Sequence, residues 1–583
     1  MPRTRHTHAS PTTPNDWGTV AHWEQGALQS CTVGALPILD HFLDRLHLEE
    51  ILQAHLPRHD ARVKLPVARG LLLLVKNLLL AREPLYGLGE WAARHDPALL
   101  GLAPEQLAAL NDDRVGRCLT ALFNADRTSL LLDVTRRVVA EFEVRLDELH
   151  NDSTTVSFHG AYLDATEEKQ RRLQKTLAIT WGHNKDHRPD LKQLLYILTI
   201  SEDGGVPVFA RAASGNVTDD RTHCDNWDLL CHIAGRPDFL YVADCKLATM
   251  TNMNYIASKG GRFVSVLPRT RKEDAAFRER LHQDAVTWQP LWDKTDEHGE
   301  LQDRFSSCDT ALILPEGYRL WWFHSTRKAE LDLAARSDRL RRAEQHLRQL
   351  QEKLRSPRTR LRERGKVQDL VSKILQRYDA GAFLRIDLVE RPQESFRQRS
   401  RGRPGQNTEY IKTVRTRLDL EFTLLPEPIG RERKTDGVFP LVTSDQQLDA
   451  LQVLQSYKRQ PTIEKRFEQL KTDFAVAPVF LKDVGRIEAL LCVYFLALLV
   501  EALLERELRQ AMKREGIESL PLYPEGRPCR CPTTRRVIDL FEPIQRHHFH
   551  QANAEPRKAL TELSPLQRRI LRLLGIPKHT YAT

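Results

Sequence analysis

The stretch YKRQPTIEKRFEQLK, residues 457–471, is the most informative feature of the sequence. Its pattern predicts one helix on which Tyr457, Glu464 and Lys471 recur every seven residues. Seven residues make two helical turns to within about 20°, so a phenol, a carboxylate and an ammonium would share one stripe. Charged residues at this spacing usually form a solvated face. Alternatively, the carboxylate holds a hard cation through oxygen, while the Lys and Tyr contact phosphate oxygens beside it.

Two upstream acids lie next to segments that are typical of strands. Asp152 precedes the β-branched and aromatic run of residues 154–158. Asp244 follows residues 239–243, a continuous apolar run typical of a strand that is buried on both faces. An acid at the carboxyl end of a buried strand lies where open α/β sheets place their ligand sites. A lone Asp in such a turn is equally often a helix cap.

These residues together resemble the DDE transposases of bacterial insertion sequences, in the branch whose third acid lies in a Tyr-x2-Arg-x3-Glu-x6-Lys helix. Tyr457, Glu464 and Lys471 match that pattern, and VFPLVTSDQQLDALQVLQSY resembles the family's lead-in to the helix. Gln460 stands at the Arg position, with Arg459 beside it as a partial replacement for one phosphate contact. Other resembling stretches are LHNDSTTVSFHG, GHNKDHRPDLKQLLYIL, GVPVFARAASGNVTDD, VADCKLAT and LYPEGRPCRCPTTRRVIDLF, and the resemblance extends from about residue 20 to about 545.

The resemblance implies an α/β fold with a ribonuclease-H-like catalytic core, a large insertion before the last catalytic helix, and a helical N-terminal domain ahead of the core. The helical domain would read DNA ends through a helix-turn-helix, or would be a plain bundle. The expected segments are a disordered polar tail (1–20), the helical domain (21–147), a first core segment (148–270), the insertion (271–435), a second core segment (436–515) and a C-terminal region (516–583).

The resemblance also implies the chemistry. Asp152, Asp244 and Glu464 are expected to hold two Mg²⁺ ions about 4 Å apart, for which Mn²⁺ would substitute. Asp152 would bridge both ions, and the other two acids would each complete one coordination sphere. The expected reaction is strand cleavage at the ends of a mobile element, followed by joining of the freed 3′ ends to target DNA. Partners would be the terminal inverted repeats, target DNA and further copies of the chain, as a homodimer or higher oligomer.

Several other residues are candidates for the site. Glu468 is the rival of Glu464, one turn further along the helix. Loop-like settings make four other acids weaker candidates for a preorganised site: Asp186, Asp190, Asp219 and Asp220. The predicted DNA contacts are Tyr457, Arg459, Lys471, Lys185, His187 and Arg188. The last three belong to a basic loop that is either DNA-facing or merely solvated.

The predicted insertion has its own pattern. Leucines recur every seven residues from Leu333 to Leu361, which predicts a long helix or short coiled coil until Pro357 interrupts it. This arginine-rich arm would lie along phosphates, pack on its own domain or pack on a second protomer. Residues 397–403 are also rich in arginine. After the insertion, a long apolar helix is expected from about residue 484 to 512.

Composition favours a polyanionic partner, because the net charge is +9 and the pI is near 9.0. Nine cysteines without a framework favour a reducing cytosol, and Cys529 and Cys531 lack a second pair at zinc-finger spacing. No signal peptide is visible, and the longest apolar run, residues 489–500, is too short for a bilayer. We therefore expect a soluble bacterial cytoplasmic protein, nucleoid-associated on DNA and without a membrane partner.

Two alternatives to a transposase stay open at this point. One is a metal-dependent endonuclease of the same fold that cuts DNA without strand transfer. The other is a DNA-binding derivative that has lost catalysis, for which Gln460 at the Arg position is the only hint.

Overall fold

The computed structural model describes residues 18–23, 26–57, 64–167, 170–171, 174–296, 299–308, 312–356, 359–477, 479, 481–551, 555 and 557–581. The chain divides into two compact units. Unit 1 comprises Met1–Ser265, Thr443–Leu448 and Gln452–Thr583, and unit 2 comprises Val266–Val442 and Asp449–Leu451. The segment predicted as an insertion, 271–435, falls within unit 2.

The helices are, in chain order, α1 (Leu36–Arg45), α2 (Leu48–His55), α3 (Val67–Leu80), α4 (Leu88–Ala92), α5 (Pro104–Ala108), α6 (Asp112–Asn124), α7 (Arg127–Phe142), α8 (His223–Ala234), α9 (Met250–Ser258), α10 (Lys272–His282), α11 (Thr326–Arg355), α12 (Arg364–Arg377), α13 (Pro426–Arg433), α14 (Ala450–Lys458), α15 (Pro461–Glu468), α16 (Val484–Arg514), α17 (Thr534–Phe541) and α18 (Pro565–Leu573).

The strands are β1 (Thr19–Trp23), β2 (Gly26–Thr32), β3 (Glu148–Phe158), β4 (Gln170–Arg171), β5 (Gln174–Lys175), β6 (Lys192–Ser201), β7 (Pro207–Ser214), β8 (Leu240–Ala243), β9 (Arg262–Val266), β10 (Trp288–Thr295), β11 (Leu301–Cys308), β12 (Leu312–Ile313), β13 (Arg319–Ser325), β14 (Leu384–Gln398), β15 (Tyr410–Leu424), β16 (Val438–Thr443), β17 (Gln545–Gln551) and β18 (Arg557–Leu560).

A mixed sheet forms the centre of unit 1, with its strands in the order β7-β6-β3-β8-β9. Strands β3, β6 and β7 are antiparallel neighbours, whereas β8 runs parallel to β3 and β9 parallel to β8. All four residues of β8 are buried, as its continuous apolar run predicts. The mixed α/β class and the helical N-terminal region are thereby confirmed.

Helix α16 is the longest element of this core and contacts α1, α3, α6 and β7. Among the described residues, α16 alone has the length and hydropathy of a membrane span, and 94% of its most apolar stretch is buried inside the structure. The buried residues include the carboxylates of Glu488, Glu501 and Glu505. Buried acids require partners on neighbouring elements, and they make this helix a source of polar contacts as well as of apolar packing.

The two ends of the chain meet in a second sheet of unit 1, in the order β1-β2-β17-β18. Strand β2 pairs antiparallel with β17, so that Cys31 lies opposite Arg546. This sheet corrects two predictions. The region 21–147 is not purely helical, and the predicted tail is shorter than 20 residues because Thr19 already belongs to β1. Residues 1–17 of that tail lie outside the described residues.

Unit 2 contains the sheet β10-β11-β13-β16, with β12 paired to β13, and the two-stranded ribbon β14-β15. Helix α11 ends at Arg355, just before Pro357, which itself is outside the described residues. Three of the heptad leucines, at positions 340, 347 and 354, are buried in one cluster with residues of α12, β14 and β15. Of the three possibilities left open for this arm, packing on its own domain therefore describes the leucine stripe.

Candidate active site

The backbones of Asp152 and Asp244 lie next to each other on two neighbouring strands. Asn151 of β3 pairs with Ala243 of β8 in the parallel register, and each aspartate is the next residue along the chain. Neighbouring strands lie about 4.8 Å apart. This strand pair is also where the sheet changes from antiparallel to parallel pairing. The structure therefore brings together two acids that are 92 positions apart in the sequence.

The two strands differ beyond this point, because β3 continues past Asp152 whereas β8 ends before Asp244. The Oδ1 atom of Asp244 accepts a hydrogen bond from the backbone N–H of Lys246 at 3.0 Å. Ser265 of β9 donates its hydroxyl to the Asp244 carbonyl oxygen at 2.6 Å. The turn that carries Asp244 is thus fixed on both sides.

Burial makes both carboxylates difficult to ionise. It raises the pKa of Asp152 even though an ammonium lies beside it. Burial, followed by the negative charge of Asp152, raises the pKa of Asp244 to about 6. Two partly buried acids on neighbouring strands form a site that favours a cation.

Lys185 and Asp219 complete this cluster. The Nζ atom of Lys185 lies 3.3 Å from Asp152 Oδ1 and 3.2 Å from Asp219 Oδ2. It also donates to the carbonyl of Ser153 at 2.7 Å, and the Ser153 hydroxyl donates to Asp219 Oδ1 at 2.7 Å. Burial opposes the charge of Lys185, but Asp152 and Asp219 outweigh it and raise the pKa of Lys185.

The positions of Lys185 and Asp219 in the structure differ from what the sequence pattern predicts. It predicts that Lys185 contacts DNA, and the structure places Lys185 among the carboxylates. It ranks Asp219 low because the setting is loop-like, and Asp219 lies in a 3₁₀ turn after β7. Side-chain exposure of Asp219 is only 16%. The quoted stretch GVPVFARAASGNVTDD, which contains Asp219, is the one signal that points to this loop.

Two glycines hold the loops of Lys185 and Asp219 against each other. A Cβ at Gly182 would overlap the carbonyl oxygen of Gly215, and a Cβ at Gly215 would overlap the carbonyl oxygen of Gln193. The Gln193 side chain donates to the same Gly215 carbonyl at 2.9 Å. Only residues without a Cβ permit this close approach of two backbones.

The predicted single helix over residues 457–471 is wrong in detail. Helix α14 ends at Lys458, α15 begins at Pro461, and a π-helical segment follows from Gln469 to Asp473. Pro461 has no N–H to continue α14. The junction tightens instead, since the Gln460 N–H donates to the Tyr457 carbonyl three residues earlier at 3.0 Å. The one-stripe arrangement therefore changes direction at the junction and again at the wider π turn.

The junction between α14 and α15 is fastened to β3. Arg459 contacts Glu148 through Nε at 2.7 Å and Nη2 at 2.5 Å. Gln460 contacts His150 Nδ1 at 2.9 Å through Oε1 and donates to the Asn151 carbonyl at 3.2 Å. Burial opposes the charge of Glu148, but bonds from His150 and Arg459 prevail and lower its pKa to about 2. Arg459 is thus engaged by an internal carboxylate, and its contact with DNA stays a prediction.

Glu464 is exposed on α15, and its relation to the two aspartates is electrostatic. The link is Tyr457: burial, followed by the charge of Asp244, raises the pKa of its phenol, and Glu464 and Asp152 add to the effect. Glu464, and not Glu468, is among the acids that contribute most to this shift. The phenol therefore lies within electrostatic reach of all three predicted acids.

A network of buried hydrogen bonds and ion pairs joins α15 and the turn after it to α16. Arg466 Nη1 lies 3.0 Å from Glu505 of α16, and Arg466 also donates to the carbonyls of Gly204 and Gly205. Gln469 donates to both Glu501 and Glu505 at 3.1 Å. Since α15 itself packs on β3 and β6, these contacts determine where Glu464 is held.

The remaining residues that were predicted to contact DNA are Lys471, Arg188 and His187. Lys471 forms an ion pair with Asp186 at 2.5 Å, on the loop that also carries Lys185. Arg188 forms a two-pronged contact with Asp190 at 2.8 and 2.7 Å, and His187 is exposed. Their roles in DNA binding stay predictions.

The donor set of this site suits a hard divalent cation. Asp152, Asp244, Asp219 and Glu464 offer only oxygen ligands, which Mg²⁺ and Mn²⁺ prefer. The carboxylates of Asp152, Asp244 and Glu464 are not gathered within 4.8 Å of one another. A pair of ions does not require this, because the two outer acids serve different ions.

One group of three potential ligands does lie that close among the described residues, namely Cys31, Asp96 and His548. Arg546 Nη1 already lies 3.2 Å from Asp96 Oδ2 there. Cys529 and Cys531 do not belong to this group.

Comparison with protein families gives one match. Residues 28–136 match a family that is described as a domain of unknown function, DUF4277. The matched segment runs from β2 into α7 and contains none of the candidate active-site residues. Comparison with curated proteins found no match.

Proposed function

We propose that this protein is a DNA transposase that cleaves DNA at the ends of an insertion sequence and joins the freed ends to target DNA. The observation that carries the proposal is that Asp152 and Asp244 directly follow Asn151 and Ala243, which lie opposite each other on the parallel strands β3 and β8. The helix that bears Glu464 packs on β3 beside them. Three acids from distant regions of the sequence are what the DDE pattern requires.

Two further observations support the proposal. The strand order β7-β6-β3-β8-β9, three antiparallel strands followed by two parallel ones, is the order that a ribonuclease-H-like core needs. The DUF4277 domain is found in transposase-like proteins. The first supports the proposed core and the second supports the proposed class, each independently of the helix pattern.

In this proposal Asp152, Asp244 and Glu464 hold two Mg²⁺ ions, and Asp219 is available as a fourth acid. Bound Mg²⁺ supplies Lewis-acid polarisation of the phosphodiester and activation of the attacking hydroxyl. Lys185 limits repulsion between Asp152 and Asp219 and keeps both carboxylates oriented. The contact of Arg459 with Glu148 and of Gln460 with His150 keeps α15 in register with β3.

The proposal is tested by incubating the full chain with Mg²⁺ or Mn²⁺ and DNA that carries the flanking inverted repeats. We expect nicks and joined products. Asp152→Asn, Asp244→Asn and Glu464→Gln should each lower the rate by about 10³-fold or more while DNA binding is retained. Glu468→Gln is the matched control and should stay active. Asp219→Asn should show a smaller loss if this acid orients Lys185 without contacting substrate.

Each alternative has its own outcome in this assay. Cleavage without joining would identify an endonuclease, and binding without cleavage would identify an inactive derivative. If Glu464→Gln stayed active and Glu468→Gln did not, the third acid would be Glu468. Full activity of all three acid variants would refute the proposed chemistry altogether.

A further inference from the structure

The ribbon β14-β15 of unit 2 extends well beyond the core that supports it. Its strands pair from Leu384 with Leu424 to Gln398 with Tyr410, without a shift in register. Fifteen residues per strand correspond to about 50 Å at about 3.4 Å per residue. The base is anchored, since Leu384 and Leu420 are buried in the α11 cluster. The distal portion, residues 391–417, is almost entirely exposed, and we call it the distal ribbon.

The distal ribbon is strongly basic. Eight cations face two acids in its sequence, an excess of six positive charges in a chain whose net charge is +9. The cations are Arg391, Arg397, Arg399, Arg401, Arg403, Lys412, Arg415 and Arg417, and the acids are Glu394 and Glu409. Most of the net positive charge of the protein therefore resides on one thin projection.

Half of these cations have no internal counter-ion. Lys412 pairs with Glu394 at 2.5 Å and Arg399 with Glu409 at 2.7 Å, which uses both acids of the distal ribbon. Arg391 pairs with Asp419 nearer the base at 3.1 Å. Arg417 donates to the carbonyl of Arg355 at 3.4 Å. Within the described stretches of the chain, no ion pair involves the other four cations, which are Arg397, Arg401, Arg403 and Arg415.

The register gives the two faces different chemistry. Residues that are directly opposite in an antiparallel pair point to the same face, and successive residues alternate. One face carries Arg391, Arg397, Arg415 and Arg417, together with the exposed Ile411. The other carries Phe396, Tyr410 and Val414, together with the ion pair of Lys412 and Glu394. Arg399, Arg401 and Arg403 lie in the loop that joins the two strands.

Arg391 lies directly opposite Arg417, but Asp419 and Glu421 already compensate the charge of Arg391. The uncompensated positive charge therefore lies nearer the tip, at Arg397, Arg401, Arg403 and Arg415. A phosphate backbone supplies the negative charge that these side chains lack.

We infer that the distal ribbon binds duplex DNA by placing its arginine face, together with the arginines of its connecting loop, in the major groove. That groove, about 12 Å wide, admits a two-stranded ribbon. The paired portion from Arg391 to Gln398 spans about 24 Å, or about seven base pairs, and its arginines face phosphates on both sides. The inference rests on the proposed function, which supplies DNA as the polyanion, and it assigns a binding surface to a unit without the catalytic acids.

The test measures affinity of the full chain for a mixed-sequence duplex of about 30 base pairs, by fluorescence anisotropy between about 50 and about 200 mM salt. The test variant replaces the four unpaired arginines by glutamine, Arg397→Gln, Arg401→Gln, Arg403→Gln and Arg415→Gln. Each lost phosphate contact lowers the slope of log affinity against log salt by about 0.9. We expect a slope smaller by about 3 to 4, and binding at least about tenfold weaker at about 100 mM salt.

A matched control removes the same charge from ion-paired arginines on another exposed surface of unit 2. The control carries Arg304→Gln, Arg327→Gln, Arg341→Gln and Arg342→Gln, whose partners are Asp293, Glu330 and Asp338. We expect the control to bind duplex DNA with the slope of the wild type.

The outcomes separate this inference from the proposed function. If test variant and control keep the wild-type slope while Mg²⁺-dependent cleavage persists, the ribbon inference is wrong and the transposase proposal survives. If only the test variant shows a smaller slope of log affinity against log salt, and the wild type does not cleave DNA, the ribbon inference survives and the proposed chemistry does not. Single-stranded DNA that competes as well as duplex would overturn groove entry. A Phe396→Ser variant that changes the oligomeric state and not DNA affinity would assign the ribbon to a second copy instead.

Discussion

Glu501→Gln should make the stability of unit 1 less sensitive to pH between about 5 and about 8. Glu501 lies in α16 and is 2% exposed. Its Oε1 accepts from Gln469 at 3.1 Å, whereas Oε2 is buried without a hydrogen-bond partner among the described residues. Burial, followed by the charge of Glu505, raises the pKa of Glu501 to about 8. The carboxyl is therefore neutral in the folded protein at neutral pH.

The magnitude follows from proton linkage. The ordinary pKa of this carboxyl is 4.5 and the folded value is about 8, and each pKa unit corresponds to about 1.4 kcal/mol. Because the folded pKa is the higher one, the stabilisation is complete below about pH 4.5 and is lost as pH rises through about 8. The loss is about 5 kcal/mol in total and accumulates between about pH 4.5 and about pH 8, so about 3 kcal/mol of it falls between about pH 6 and about pH 8.

Glutamine keeps the shape and the acceptor for Gln469 but cannot ionise. Thermal unfolding of the wild type and of Glu501→Gln should be compared from about pH 6 to about pH 9, with hydrogen exchange of residues 461–473 as a local probe. The wild type should lose stability and exchange protection across this range, and the variant should lose much less. The exposed acid Glu518 provides the control Glu518→Gln, which should follow the wild type. Parallel pH profiles of wild type and Glu501→Gln would refute the reasoning.

Two further predictions concern single side chains outside the acid cluster. Arg336→Met should destabilise unit 2 by about 3 to 5 kcal/mol in urea unfolding, because it leaves the buried Asp436, now held at 2.7 and 2.6 Å, without its counter-ion. Replacing Arg339, whose ion pair with Asp379 is exposed, by Met should cost less than about 1 kcal/mol, and an equal loss for both would contradict this explanation. Gly182→Ala should displace the loops of Lys185 and Asp219 and lower cleavage more than DNA affinity, whereas Gly430→Ala, where an added Cβ meets open space, should leave both unchanged. Equal activity of the two glycine variants would show that the loop contact is not needed.

Local sequence predicted those elements whose formation depends on nearby residues. The apolar run before Asp244 forms β8, fully buried, because a continuous hydrophobic run suits a strand that is covered on both faces. The long apolar segment forms α16, Val484–Arg514. The sequence pattern placed Asp152 before its strand and Asp244 after its own, which would put them at opposite edges of parallel neighbours. They meet because β3 already begins at Glu148, so that Asp152 lies within the strand and level with the end of β8. The expectation that the acids meet came from the family resemblance.

Features that depend on distant contacts were not predictable in this way. The pairing of β2 with β17 joins residues that are more than 500 positions apart, and neither strand shows a strong alternating pattern. The sequence places Lys185 in a basic loop, and periodicity does not reveal that this loop folds back onto Asp152. Pro461 is visible in the sequence, and treating residues 457–471 as one helix underestimates it.

Gln460 stands where the family pattern has an arginine, but this difference does not by itself favour a protein that has lost catalysis. Position 460 is 7% exposed and faces the ring of His150 and the carbonyl of Asn151. A neutral amide satisfies both, since it accepts through oxygen and donates through nitrogen. The nearby acid Glu148 is already bound by Arg459 and His150. A second guanidinium would therefore be buried without a carboxylate of its own, which is unfavourable. In this chain the arginine at 459 and the glutamine at 460 act together to dock α15 on β3, and the acid at 464 depends on that docking.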